Sequence, residues 1–196
     1  MKRLFIFDVD GVLLDLWPAM RSVFACYYNM SLSDKDWDDI IDDFLHNPQP
    51  YLEFGEYFSQ SQTFKNLLAV KGMPELVFNL SNHCFDLAIV SSADPAYIEQ
   101  RRQNIKEHYA DCFEKIICVG MKQTKEEALR QVASGYDEVF FVDDNPRHLF
   151  ESIGIVTCPI WLENKHHLFL WQGIDNTCIK KARNAKDILD IALKHA

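Results

Sequence analysis

Two aspartates one residue apart, Asp8 and Asp10, follow the unbroken apolar run Leu4-Phe5-Ile6-Phe7 and precede Gly11. Taken alone the pair is ambiguous, because Asp is common in strand-to-helix loops, where it accepts backbone hydrogen bonds. An EF-hand loop is excluded: it needs a ligand at its fifth position, Gly at its sixth and Glu at its twelfth, where Val12, Leu13 and Ala19 stand. Further along, Ser91-Ser92 follows Phe85-Asp86-Leu87-Ala88-Ile89-Val90, and Asp143-Asp144 follows Val139-Phe140-Phe141-Val142. Lys125 lies in Thr124-Lys125-Glu126-Glu127. Carboxylates gathered at one place repel unless a cation sits among them. With oxygen ligands and no His or Cys in the set, that cation is Mg²⁺. Hydroxyls and a lysine beside it suit phosphate oxygens, so the chemistry is phosphoryl transfer.

These residues act together only if the chain brings them together. Each apolar run reads as a buried strand with its polar pair at the C-terminal tip. Lys115 to Val119 adds a strand, and a fifth is expected over Ile155 to Ile160. Helices are read between them: Pro74 in the first turn of one running through Leu80, Asp94-Pro95 opening another, Asn145-Pro146 a third, and a box from Asn184 to Asp187 ahead of Ile188, Leu189 and Leu193. Thr124 to Glu127 reads as a capping box that places Lys125 at a helix start. A cation there opposes the helix dipole by about a few tenths of a kcal/mol or more, and a local rule broken beside a site points to function. Alternating strands and helices imply an α/β, three-layer Rossmann-like domain with a mostly parallel sheet. Because crossovers run the same way, all the strand tips fall on one edge.

Between about residues 16 and 71 the pattern changes. Trp37, Ile40, Ile41 and Phe44 recur at helical spacing after the N-cap Ser33, and Asn47-Pro48-Gln49-Pro50 breaks that helix. Tyr51, Phe54, Tyr57 and Phe58 mark another stretch, and Leu16 to Tyr28 a further one. A small helical insert after the first strand is the expectation.

The 196 residues suffice for one sizeable core with a small insert. A net charge of −9 without a basic run argues against nucleic acid or an anionic membrane surface as partner. Asp8 interrupts the first apolar run too early for a signal peptide, and no stretch is long enough to span a membrane. The six cysteines form no metal-binding spacing and read as reduced core residues of a cytoplasmic protein.

The full set resembles the haloacid dehalogenase-like hydrolase superfamily, whose four motifs appear in order: Asp8-Val9-Asp10-Gly11-Val12-Leu13, Ser91, a lysine, and Asp143-Asp144. The resemblance covers about residues 4 to 160. It implies that Asp8 is the nucleophile forming an aspartyl-phosphate and that Asp10 is general acid and base. It also implies Mg²⁺ held by Asp8, the backbone carbonyl of Asp10 and Asp144, with Asp143 in support. Ser91 and the Ser92 backbone N–H would bind the phosphoryl group, and Lys125 would neutralise Asp8 and a phosphate oxygen; Lys122 competes for that role. Since the superfamily's dehalogenases lack the second aspartate, Asp10 points to a phosphatase or a phosphomutase. The resemblance further implies a core of residues 1–15 and 72–196 and a C1-type cap over 16–71. The expected substrate is a small phosphoester; a non-catalytic phosphate-binding module is the alternative outside enzymes. Arg147, His148 and His166-His167 read as surface residues, and Trp161 and Trp171 as packing.

Overall fold

A computed structural model describes residues 1–93, 95–120, 123–164 and 177–194. Asp94, Lys122, His166, His167 and Trp171 lie outside the described residues. The first strand, β1 (Arg3–Phe7), is apolar on both faces because it is covered on both. Leu4 and Ile6 face one way, Phe5 and Phe7 the other, as the two-residue period of a strand requires. The next helices are α1 (Leu16–Tyr27), α2 (Asp34–His46), α3 (Leu52–Gln60), α4 (Gln62–Lys65) and α5 (Met73–Asn82). There follow β2 (Phe85–Ser92), α6 (Ile98–Tyr109), β3 (Lys115–Val119), α7 (Glu126–Ala133), β4 (Glu138–Asp143), α8 (Pro146–Ser152), β5 (Cys158–Leu162), β6 (Lys180–Ala182) and α9 (Ala185–Lys194).

The strands form one sheet in the order β3-β2-β1-β4-β5-β6, and every pairing is parallel. β1 is flanked by β2, with Phe5 opposite Leu87, and by β4, with Phe5 opposite Phe140. This is the doubly wound order, and the strand sequence reverses direction between β1 and β4. In folds of this kind ligands bind outside the strand tips at that point, and Asp8 and Asp143-Asp144 stand at those tips. One sheet face packs Leu4, Ile6, Phe141 and Trp161 with Leu129 and Val132 of α7. On the other face, Phe5 stacks on Phe140 with ring centres 5.2 Å apart, and Phe7 meets Phe113 edge-on.

The chain divides into two compact units, Met1–Leu14 with Ala69–Ala196, and Asp15–Leu68. The second is helical, and its own centre is Phe24, Trp37, Ile41, Phe54 and Phe58. Ser33 accepts from the Asp36 N–H while the Asp36 side chain accepts from Ser33, a complete capping box at the start of α2.

Several expectations are corrected. β5 lies two to three residues later than Ile155 to Ile160 and pairs with a further strand, β6. Pro95 opens a 3₁₀ turn, Pro95–Tyr97, and the α-helix begins only at Ile98. The Thr124 box does not form: Lys125 itself stands at the N-cap of α7 and its backbone N–H donates to Glu151 at 3.3 Å. Among the cysteines only Cys158 is buried, while Cys26, Cys84 and Cys178 are exposed. No helix among the described residues is long and apolar enough to cross a membrane.

Candidate active site

Asp8 extends β1 by one residue, its N–H donating to the Val142 carbonyl at 2.9 Å, so the nucleophile candidate is fixed by the sheet itself. The chain then folds back: Leu13 and Leu14 both donate to the Val9 carbonyl, and Gly11 donates to that of Leu14. Gly11 takes φ +88°, and a Cβ there would stand 2.3 Å from Asp144 Oδ2. Only glycine admits both the backbone turn and the approach of that carboxylate.

Asp8, Asp143 and Asp144 are all buried, and each offers an oxygen lying within 4.8 Å of the others. Lys125, fully buried, reaches between two of them, with Nζ 2.6 Å from Asp8 Oδ1 and 2.7 Å from Asp143 Oδ2. Burial works against its charge, but Asp143 and Asp8 outweigh that and raise its pKa above the ordinary lysine value. Burial likewise opposes ionisation of Asp143; Lys125 and then His148 prevail and hold its carboxyl well below the usual range. Asp143 also accepts from the backbone N–H of Asn145 at 2.8 Å, while the Asn145 side chain caps α8 by accepting from Arg147.

Three carboxylates gather in a buried place around one ammonium, with His148 beside Asp143 as a second partner, so negative charge is in excess there. A divalent cation with a preference for oxygen matches both the charge and the donor set, so the residues fit Mg²⁺. The Asp10 carboxylate does not join this cluster. It sits at the rim, its side chain 24% exposed, against Arg101. Burial raises its pKa above the ordinary aspartate value, and the Arg101 guanidinium works in the opposite direction.

Ser91 and Ser92 end β2, two and three residues past Ile89, the partner of Phe7, and so stand beside the loop that carries Asp8 and Asp10. Ser91 is buried, and the Ser92 hydroxyl is buried with no hydrogen-bond partner among the described residues. Three residues of this edge escape sequence reasoning. His148 is no surface residue: its Nδ1 lies 3.1 Å from Asp143 Oδ2, and Asp143 overrides burial to raise its pKa. Asn164 donates to Asp144 Oδ2 at 2.8 Å. Arg101 is 3% exposed on α6, and its signal was present in the sequence, since it shares a helical stripe with Ile105 and Tyr109. Arg147, by contrast, is exposed as expected. Trp161 packs fully inside and donates from its indole to the Asp144 carbonyl at 2.9 Å.

A doubly wound parallel sheet with this acidic cluster and lysine at its switch point defines a haloacid dehalogenase-like hydrolase of phosphoesters. Solved structures agree on the fold. A haloacid dehalogenase-like family hydrolase from Streptococcus pneumoniae superposes with TM-score 0.68 at 12% identity, covering 97% of this chain and 98% of that one. A predicted phosphatase from Clostridium acetobutylicum gives TM-score 0.68 at 14% identity over 99% of each chain. An L-2-haloacid dehalogenase from Xanthobacter autotrophicus gives 0.65 at 13% identity over 100% of each. No curated protein sequence matches the chain. The profile of one family matches residues 2–174, and the chain belongs to that family: 5′ nucleotidase, deoxy (pyrimidine), cytosolic type C (NT5C).

Proposed function

We propose that this chain is a Mg²⁺-dependent, cytoplasmic phosphomonoesterase that hydrolyses a small phosphoester, a pyrimidine deoxynucleoside 5′-monophosphate by the family's description. The observation that carries the reading is the meeting of Asp8, Asp143 and Asp144 within 4.8 Å, bridged by Lys125. Asp8, Asp144 and the Asp10 carbonyl would hold the ion, with Asp143 in support, and the ion would draw negative charge off the phosphoryl oxygens.

Lys125 engages Asp8 Oδ1 at 2.6 Å and orients the carboxylate, one oxygen of which attacks phosphorus. As that P–O bond forms, the bond to the leaving alcohol breaks, and the Asp10 carboxyl gives its proton to the departing oxygen. Raising the Asp10 pKa by burial suits a group that must begin protonated. The Ser91 hydroxyl and the Ser92 N–H hold the phosphoryl oxygens, and the unpartnered Ser92 hydroxyl supports an acceptor arriving there. Asp10, now ionised, takes a proton from water as the water attacks the aspartyl-phosphate and releases phosphate. By the resemblance the helical unit would correspond to a C1-type cap, the part that selects substrate in such enzymes. Nucleic acid and membrane have no part in this reading.

Phosphate release from a panel of nucleoside and deoxynucleoside 5′-monophosphates tests it. Activity is expected with Mg²⁺, none with EDTA, recovery on adding Mg²⁺ back, and poor support from Ca²⁺, whose looser shell does not hold in-line geometry. Turnover that persists in EDTA overturns the metal assignment; silence across nucleotides with activity on sugar phosphates overturns the substrate class.

A further inference from the structure

α6 buries Arg101, Asn104, Ile105 and Tyr109, the stripe that a helix turns toward a core. A guanidinium at a core position is costly unless it is paired, because burial strips it of its hydration. The adjacent Arg102 shows the ordinary outcome: its side chain is 50% exposed and meets Glu99 only at 3.7 Å. Arg101 instead sets its Nε 3.2 Å from Asp10 Oδ2 and 3.0 Å from Oδ1, and its Nη1 donates to Asn104 Oδ1 at 3.3 Å. Asn104 is itself wholly buried. The Nε–H donates to Oδ2 and its charge stands close to Oδ1, so the guanidinium holds the carboxylate from one side, and the buried Asn104 behind it holds the guanidinium.

We propose that Arg101, braced by Asn104, is a positioning residue that aims the Asp10 carboxyl at the leaving-group oxygen. This rests on the reading that Asp10 is the general acid. The step it serves is the transfer of one proton from Asp10 to the alcohol oxygen as the P–O bond breaks. Lys125 does not duplicate the role, since it contacts Asp8 and Asp143. The sheet edge therefore separates two tasks, with one cation ordering the nucleophile and another ordering the acid.

A leaving-group comparison tests this. An alcohol departs poorly without a proton, whereas p-nitrophenolate needs none, and kcat/KM reports the reaction only up to departure. In Arg101→Met, kcat/KM for a nucleoside 5′-monophosphate should fall by about 10²-fold or more. For p-nitrophenyl phosphate it should fall by less than about tenfold, with a burst of nitrophenol matching the enzyme concentration, because the later attack of water still needs Asp10. Arg101→Lys should restore part of the nucleotide activity, keeping the charge and losing the planar contact. Equal losses on both substrates, or no loss on either, overturn the proposal and mark Arg101 as structural. Should Arg101→Met fail to fold in a thermal melt, the ratio of the two kcat/KM values in Arg101→Lys decides in the same way. Failure of the underlying reading looks different: wild type then turns over neither compound, or Asp8→Asn matches wild type on both.

Discussion

The two units of the molecule bury different kinds of residue. All nine buried polar or charged side chains among the described residues belong to the sheet unit. In the helical unit the buried positions are apolar throughout, with Met20, Val23, Phe24, Trp37, Ile41, Phe54, Phe58 and Leu67. Replacing buried ion pairs by well-packed apolar residues is often neutral or stabilising, so a chain selected for stability alone has little reason to keep them. The sheet unit keeps Asp8, Lys125, Asp143 and Asp144 buried together at its strand tips, and the helical unit packs its aromatics around Phe24 and Phe54.

The sharpest way to break that contrast is Asp8→Asn, which keeps volume and removes the proposed nucleophile. Turnover should fall by on the order of 10⁴-fold or more, while the melting temperature without Mg²⁺ stays level or rises as one carboxylate leaves a repelling cluster. Phosphate release and a thermal melt read the two halves; near-normal activity would falsify the role given to Asp8. Lys125→Met should damage both properties, because Asp8 and Asp143 would then face each other without their cation. We expect turnover to collapse and urea denaturation to show a loss of about 3–5 kcal/mol.

Phe54→Ala probes the other unit. Phe54 is 1% exposed, packed edge-on against Phe24 at 4.8 Å, and its truncation should cost about 3–5 kcal/mol. Affinity for Mg²⁺, measured by calorimetry, should not change; a weakened metal site would show that the two units do not divide their tasks in this way. The smallest effect belongs to Tyr51, whose phenol donates to Asp43 at 2.6 Å. That hydrogen bond, followed by burial, pushes its pKa up to about 12. A phenol whose pKa is higher folded than unfolded stabilises the protein below about pH 10 and ceases to do so as pH rises through 12. Tyr51→Phe should therefore lose about 0.5 kcal/mol at neutral pH and nothing measurable near pH 12, by denaturation at both values.

How much of this was legible beforehand follows the same division. The strand tips carry their carboxylates directly after apolar runs, so Asp8, Asp143 and Asp144 could be placed on one edge from pattern alone, and α2 announces itself through Ser33 and Asp36. What was missed depends on long-range pairing. Ile155 and Val156 carry a strand-like apolar signal but belong to the turn after α8, whose N–H groups donate to Ser152, so β5 begins only at Cys158. β6 is a three-residue strand with two lysines, whose only reason to be extended is its neighbour. With β5 misplaced, Asn164 could not be recognised as standing just past its tip. The failed capping box has a similar origin: Lys125 is committed through its ammonium to Asp8 and Asp143, and that tertiary demand overrides the local preference of Thr124. His148 reads as solvated because the first turn of a helix usually is, whereas here Asp143 lies beside it.

β1 lies at the middle of the sheet yet comes first in the chain, and its partners are far away: Arg3 aligns with Phe85 on one side and with Glu138 on the other. At about 5–20 residues per second, on the order of ten seconds separate the synthesis of β1 from that of β4. Throughout that interval a strand of consecutive Leu, Phe, Ile and Phe has no native neighbour on the β4 side, and parallel pairings across such sequence distances close slowly. The edge that gathers Asp8, Asp143 and Asp144 therefore cannot be complete until β4 has been made, and until then β1 exposes a flank of consecutive apolar residues.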